Sequence, residues 1–399
     1  MIAHPKTWRV KSLEEVAEVQ TGLAKGKTDL NDPVTMPYLR VANVQDGFLD
    51  LSEIKHIQVA RGELDRYRLR RNDVLLTEGG DLDKLGRGFI WHGQIEPCLH
   101  QNHVFVVRTR SEVLRPQFLA LLTASAYGRR YFLGCSKRTT NLASVNSTQL
   151  KQFPVLLPSV GEQDAVASLL GVWDTGIGSL NARLEAAQSR KLGLMQHLLT
   201  GKMRFEAFAR ERWREVRLGD VATESNLRNN GRLDRTRLMA VTKAEGIIPM
   251  RERVQGKSLD RCKVVKTGWF AYNPMRINIG SIAQWRGKHD VMVSGDYVVF
   301  RCNEDRLDPC WLEQFRRAHH WESFVRSSGN GSVRVRIWFS DLGRLRVNLP
   351  SVREQQRIAA VLNCCDREIE LLQKQLEALK EQKRGLMQKL LTGVVRVKV

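Results

Sequence analysis

Two stretches of the chain carry apolar residues at alternating steps of four and three. In the first the positions are Val166, Leu170, Trp173, Ile177, Leu180, Leu184, Ala187, Leu194 and Leu198. In the second they are Ile358, Leu362, Cys365, Ile369, Leu372, Leu376, Leu379, Leu386 and Leu390. Such steps place every one of these residues on a single helical stripe, so each stretch predicts a long helix with a heptad seam. Both seams are interrupted at one matching place, by Lys191 and Lys383. Ser159 with Glu162, and Ser351 with Glu354, have the spacing of a capping box, and Gly201 and Gly393 supply the stops. About forty residues at about 1.5 Å each give roughly 60 Å, too long for one compact domain. The first stretch also contains Gly171, Gly176, Gly178 and Gly193. Each costs up to about 1 kcal/mol against Ala, so this helix needs a partner. The two are expected to pair antiparallel as a coiled coil, with globular domains at opposite ends.

The two stretches are copies of each other. Residues 158–201 align without a gap on residues 350–393 at a shift of 192, from PSV-x-EQ at one end to GLMQ-x-LLTG at the other. A second, shorter likeness joins Trp8–Leu13 to Trp213–Leu218 at a shift of 205. Between these heads and tails the halves barely resemble each other. The chain therefore divides into a globular domain (1–157), a central helix (158–201), a second globular domain (202–349) and a closing helix (350–399), a pseudo-two-fold repeat. Within the globular parts, Tyr38–Val44, Val74–Thr77, Gly88–His92 and His103–Arg108 predict strands, as do Trp269–Tyr272, Gly280–Trp285 and Tyr297–Arg301. Arg115–Leu133 and Pro309–Phe324 predict one helix each, opened by proline. The expected class is α+β.

Charge then narrows the function. Lys plus Arg number 64 against 43 Asp plus Glu, a formal net charge of +21, in a chain of ordinary hydrophobic content. The excess is spread through folded sequence and points to a polyanionic partner. Seven scattered cysteines without a C-x-x-C pair read as reduced thiols in a cytoplasmic protein, and no apolar run predicts a signal peptide or a membrane span.

Loops that combine basic, amide and small residues are the candidate DNA contacts, since Arg suits guanine, Asn and Gln suit adenine, and Lys suits phosphate. In the first domain they offer Lys25 and Lys27, then Arg40 and Asn43, then Thr77, Glu78, Gly79, Lys84 and Arg87. His100, Gln101 and Asn102 precede a strand, and Lys137, Thr140 and Asn141 follow the helix. In the second domain the candidates are Asn273, Met275, Arg276, Asn278 and Ser281, followed by Arg326, Ser328, Asn330 and Arg334.

Catalytic readings fail on spacing. Gly22–Thr28 is one residue short of a phosphate-binding loop and serves better as a basic loop. Tyr272-Asn273-Pro274-Met275 is similar to an amino-methyltransferase tetrad, but no Gly-rich strand–turn–helix accompanies it to hold a methyl donor. His100 and His103 lack a third metal ligand nearby.

The order of these features resembles the specificity subunits of Type I restriction–modification enzymes. A W-x-x-x-x-L head, a variable domain, L-P-S-V-x-EQ, a long helix and LLTG occur twice. PYLRVANVQDGFLDL, LLTEGGDLDKLGRG, CLHQNHVFVVR, AYNPMRINIGSI and DYVVFR are similar to recognition-domain sequence of that family. The resemblance implies a subunit without catalysis or cofactor of its own, each domain reading one half of a split, asymmetric target in double-stranded DNA. It implies that the helices set the spacing and dock two methyltransferase subunits through Leu170, Trp173, Ile177, Leu184 and Leu198, and through Ile358, Leu362, Ile369, Leu376 and Leu390. S-adenosylmethionine would act in those partners, and ATP and Mg in restriction motor-nuclease subunits. One departure is that the first helix does not end in a short tandem repeat. The competing readings are a stand-alone DNA-binding or scaffolding protein, and an enzyme in its own right.

Overall fold

The structure, a computed structural model, describes residues 4–26, 30–81, 85–138, 142–251, 259–328 and 336–398. The chain forms two compact units, Met1–Asn181 with Lys374–Val399, and Ala182–Gln373. The helices Val160–Leu198 and Val352–Leu391 match the two heptad stretches, and each contributes one half to each unit.

In unit 1 the head and tail of the repeat meet. Strand Arg9–Ser12 runs antiparallel to Pro154–Leu157, Arg9 facing Leu157, immediately before the first long helix. A four-stranded sheet follows in the order Ala17–Gln20, Val104–Thr109, Val74–Thr77, Gly88–Ile90. Its apolar face packs with Phe118, Leu122, Phe132 and Phe153, and with Val166, Leu170 and Leu390 of the long helices. A three-stranded sheet places Pro33–Leu39 between Lys55–Ala60 and the short strand Leu99–His100, with Leu39 and His100 paired in parallel.

Unit 2 repeats this plan. Strand Arg214–Arg217 pairs antiparallel with Arg346–Leu349. The sheet Ala222–Ser225, Val298–Cys302, Phe270–Tyr272, Ile282–Gln284 has the same order as its counterpart. The second sheet again contains a parallel pair, Met239 facing Val293. Two domains of unlike sequence thus share the strand order of their main four-stranded sheet, because buried strand positions can be met by many different apolar residues.

Within each unit the halves of the long helices run antiparallel. Asp174 bonds Lys383 in unit 1, where Gly176 also lies beside Leu379; in unit 2 Arg190 bonds Glu368 and Lys191 bonds Asp366. The pairing expected from the seams is present in both units.

Several expected boundaries shift. The helix expected over Arg115–Leu133 is two, Pro116–Ala124 and Ala126–Cys135. Ser125 breaks it by bonding the Leu122 carbonyl and accepting from the Gly128 amide, as a capping serine does. The helix expected over Pro309–Phe324 is likewise split, into Pro309–Phe315 and His319–Ser327. The strand expected at Tyr38–Val44 ends at Leu39, since the Asn43 side chain accepts from the Arg40 amide and winds Val41–Asn43 into a 3-10 turn.

Candidate nucleic-acid interface

The frame that carries the candidate surfaces is built from the repeated motif PSV-x-EQ. The Glu of this motif is buried in both copies. Trp8 Nε1 donates to Glu162 at 3.3 Å, and Arg396 donates to the same carboxylate at 2.5 and 2.7 Å. Trp213 Nε1 donates to Glu354 at 3.1 Å, and Arg204 donates at 2.9 and 2.6 Å. Each guanidinium also lies over the face of its Trp, at 5.6 Å for Arg396 and 5.7 Å for Arg204. A buried carboxylate is tolerable only when paired, and a bidentate Arg pairs it best. The capping boxes are therefore corrected. Ser159 Oγ does accept from the Glu162 amide at 3.3 Å, but both Glu side chains are taken by Trp and Arg instead of folding back on Ser. The arginines follow LLTG by three residues in both copies, so the repeat extends to Arg204 and Arg396.

The Gln of the motif has an equally definite task. Gln163 accepts from the Arg115 amide at 2.8 Å and donates to the Val113 and Pro158 carbonyls. Gln355 accepts from the Asp308 amide at 2.7 Å and donates to the Arg306 and Pro350 carbonyls. Arg115 and Asp308 are the N-cap residues of the helices Pro116–Ala124 and Pro309–Phe315. Each long helix thus grips the domain before it at one equivalent point.

In unit 1 the folding brings distant candidates together. Gly22 packs on the backbone carbonyls of His100 and Gln101, where no Cβ could fit, and Asn102 donates to the Leu23 carbonyl. Exposed Lys25, its ammonium 5.8 Å from the Tyr38 ring, therefore belongs to the same surface as Gln101 and Asn102. Glu78 reaches His103 beside them, and strand Gly79–Asp81 pairs with Leu142–Ser144, which continues the hairpin of Lys137. Other expected contacts are turned inward. Asn43 is buried and donates to the Asp50 and Glu53 carbonyls; Thr77 is also buried. Arg40 is occupied by Glu53, and Arg87 donates to Gln45 at 2.7 Å. His100 is fully buried, bonds the Val104 carbonyl at 2.7 Å, and is pushed by burial down to about 4, so its ring is neutral. These residues shape the surface and do not present it. Lys27, Lys84, Thr140, Asn141, Asn330 and Arg334 lie outside the described residues, and so do the side-chain surroundings of Lys137.

In unit 2 an open groove of about 860 Å³ has walls from the hairpin at Lys243–Ile247, the segment Ile277–Gly287 and the two helices of residues 309–327. It unites Asn278 with Arg326, which sequence reasoning had placed on separate loops. Its further cations, Lys243, Arg286, Arg316 and Arg317, were missed, because only the fold assembles them. Five Lys or Arg against Glu245, Glu313 and Glu322 leave a net charge of +2. Burial pushes the Glu313 carboxyl up, but bonds from Arg316 and Arg317 outweigh this and hold it below the ordinary range. Gly280, at φ +93°, ends the 3-10 turn Ile277–Ile279 on the groove wall. Met275 and Arg276 are exposed at the same turn, which Asn273 braces by accepting from the Met275 amide at 3.0 Å. Ser281 is buried and donates to the Val241 carbonyl, and Ser328 donates to the Phe324 carbonyl, so both serve the fold.

The seam residues expected to dock partners are used by the chain itself. Leu170, Leu198, Ile358, Leu362, Leu376 and Leu390 are buried, and Trp173, Ile177, Leu184 and Ile369 are half-buried. The apolar residues that the long helices expose are Leu169, Val172, Leu192 and Leu371. Among the described residues, no helix is long and apolar enough to cross a membrane.

A doubled α+β domain on paired helices carries surfaces that differ between the copies. Residues 5–188 match the family model of the Type I restriction modification DNA specificity domain. The putative type I restriction enzyme MjaX specificity subunit of Methanocaldococcus jannaschii is 25% identical over 415 residues, covering 99% of this chain and 95% of that one. The type I restriction enzyme EcoKI specificity subunit of Escherichia coli is 25% identical over 201 residues, 50% of this chain and 42% of that one. The HsdS subunit from Thermoanaerobacter tengcongensis shares the fold at a TM-score of 0.51 and 18% identity, with 98% of each chain covered. A chain solved in work on complex assembly and conformational transition of the type I R-M system shares it at 0.62 and 17%, covering 99% of this chain and all of that one. Over residues 5–188 the chain is thus similar to the Type I restriction modification DNA specificity domain, and over nearly its whole length to a putative type I specificity subunit.

Proposed function

We propose that each unit reads one half of a split, asymmetric target in double-stranded DNA, and that the paired helices set the spacing between the halves. The observation that carries this reading is the contrast between an invariant frame and unlike surfaces. The Trp–Glu–Arg and Gln contacts are the same in both units, whereas one unit offers Lys25, Gln101 and Asn102 and the other a groove with Lys243, Asn278 and Arg326. Cations meet phosphate and amides meet base edges, so two unlike surfaces suit two unlike half-sites. In this reading two adenine-methyltransferase subunits dock on the long helices, bringing S-adenosylmethionine. Motor-nuclease subunits bring ATP and Mg, and the complex acts in the cytoplasm.

The test is to express the chain with a Type I methyltransferase subunit in a host lacking adenine methylation and to sequence the methylome. A bipartite adenine-methylated motif, absent without this chain, is expected. Co-purification without any methylated motif, or a continuous motif, would overturn the proposal.

A further inference from the structure

The two lysines that interrupt the seams have a shared structural fate. Lys191 bonds Asp366 in unit 2 and Lys383 bonds Asp174 in unit 1, each at 2.5 Å. The lysines are repeat equivalents, as are the aspartates, each at the shift of 192. The lysine side chains are only 11% and 17% exposed, so each ammonium is largely withdrawn from water and depends on its acid. Both pairs lie in one register, the two residue numbers adding to 557 in each. The outer clamps, Glu162 with Arg396 and Arg204 with Glu354, agree within one residue, adding to 558.

The apolar seam does not select this register. It repeats every seven residues in both helices, so a slide of one heptad brings apolar positions together again. The lysines do discriminate. A slide of seven residues either way would set Lys191 against Ala359 or Gln373, and Lys383 against Ala167 or Asn181. None of these four is a carboxylate, so a slide of one heptad loses both of the directly opposed ion pairs.

We propose that the Lys191–Asp366 and Lys383–Asp174 pairs are register pins, whose contribution is to choose one alignment of the helices rather than to strengthen it. Through the reading given above, which this step deepens, they are also determinants of the gap tolerated between half-sites. Within unit 2 the pin is tied to the recognition domain as well, since Gln314 donates to Asp366 and Arg317 lies 3.5 Å from it. Asp174 is more exposed, which makes unit 1 the cleaner place to exchange charges.

The experiment places a benzophenone amino acid at Gly178 or at Gln188 in the full chain and maps photo-crosslinks by mass spectrometry. Gly178 leaves open space for a side chain, and Gln188 is exposed. In the parent, captured residues should centre near Leu379 and Ile369, respectively. Lys191→Leu with Lys383→Leu should melt at the same temperature or higher, yet spread its crosslinks to sites seven residues away. Native crosslinks alone in that variant, or a collapse of its melting temperature, would overturn the proposal. Lys383→Asp alone should disturb the register near Gly178, and adding Asp174→Lys should restore it; failure of the exchange counts equally against the pins. Crosslinking needs no DNA, so it stands apart from the reading of half-sites. In a methylating complex the leucine variant should accept more than one gap length, and a single unchanged gap alongside spread crosslinks would remove the gap from these residues.

Discussion

The two units close on the same three side chains by different routes along the chain. In unit 2, Arg204 and Trp213 lie close in sequence and grip Glu354, a helix away. In unit 1, Trp8 and Arg396 come from opposite ends of the chain to grip Glu162, and Arg396 also donates to Thr7. The difference teaches that the repeat is spatial before it is sequential. What the two copies share is a geometry around a buried carboxylate, reached whichever segment supplies the arginine. Local connection makes the second clamp the more enclosed, since Arg204 is 19% exposed and Arg396 is 44% exposed.

That comparison can be broken most directly at the glutamates. Glu354→Ala leaves a largely enclosed arginine and the Trp213 Nε1 without their partner and should cost about 3–5 kcal/mol, read by urea unfolding. Glu162→Ala should cost less, about 1–3 kcal/mol, because water reaches Arg396. A larger loss at Glu162 would show that tying the chain ends together outweighs enclosure.

Acid should separate the units next. His100 in unit 1 has a folded pKa of about 4, below the ordinary 6.5 of a free imidazole, because burial disfavours the cation. The unfolded chain then binds the proton first, so this contribution is full above pH 6.5 and is lost as pH falls toward 4. Unit 2 has buried Val293 at the matching position of its parallel strand pair. Between pH 7.5 and pH 5, unit 1 should lose about 2 kcal/mol that unit 2 keeps, seen in unit-resolved hydrogen exchange. His100→Gln should remove the difference; equal acid sensitivity in both units would refute the assignment.

The smallest expected effects concern the surfaces. Lys25→Ala should weaken DNA binding without regard to sequence and lower the salt slope by up to about 0.9. Asn278→Ala in the groove should instead relax preference at a base in one half-site, at about 1–3 kcal/mol of discrimination. If Lys25→Ala altered sequence preference and Asn278→Ala did not, the roles given to the two surfaces would be exchanged.

Legibility in the sequence follows the same division. The long helices, their lysines and the paired heads and tails were readable because heptad spacing and repetition are local, one-dimensional signals. The common strand order of the two four-stranded sheets was not, since their strands of three to six residues satisfy burial with unrelated side chains. Asn43, His100 and Ser281 read as contacts because type and loop setting suggest them. Only packing shows that their polar atoms brace the fold. The groove at Lys243, Arg316 and Arg317 escaped notice because its cations stand far apart in the chain until helices and hairpin bring them together.

The central proposal, one frame carrying two independent readers, meets its most direct test in an exchange of residues 1–157 for the first domain of a known specificity subunit. Methylome sequencing of the chimera should show one half-site replaced, with the other half-site and the gap retained. Replacement of both half-sites, or a changed gap beside an unchanged second half, would contradict it.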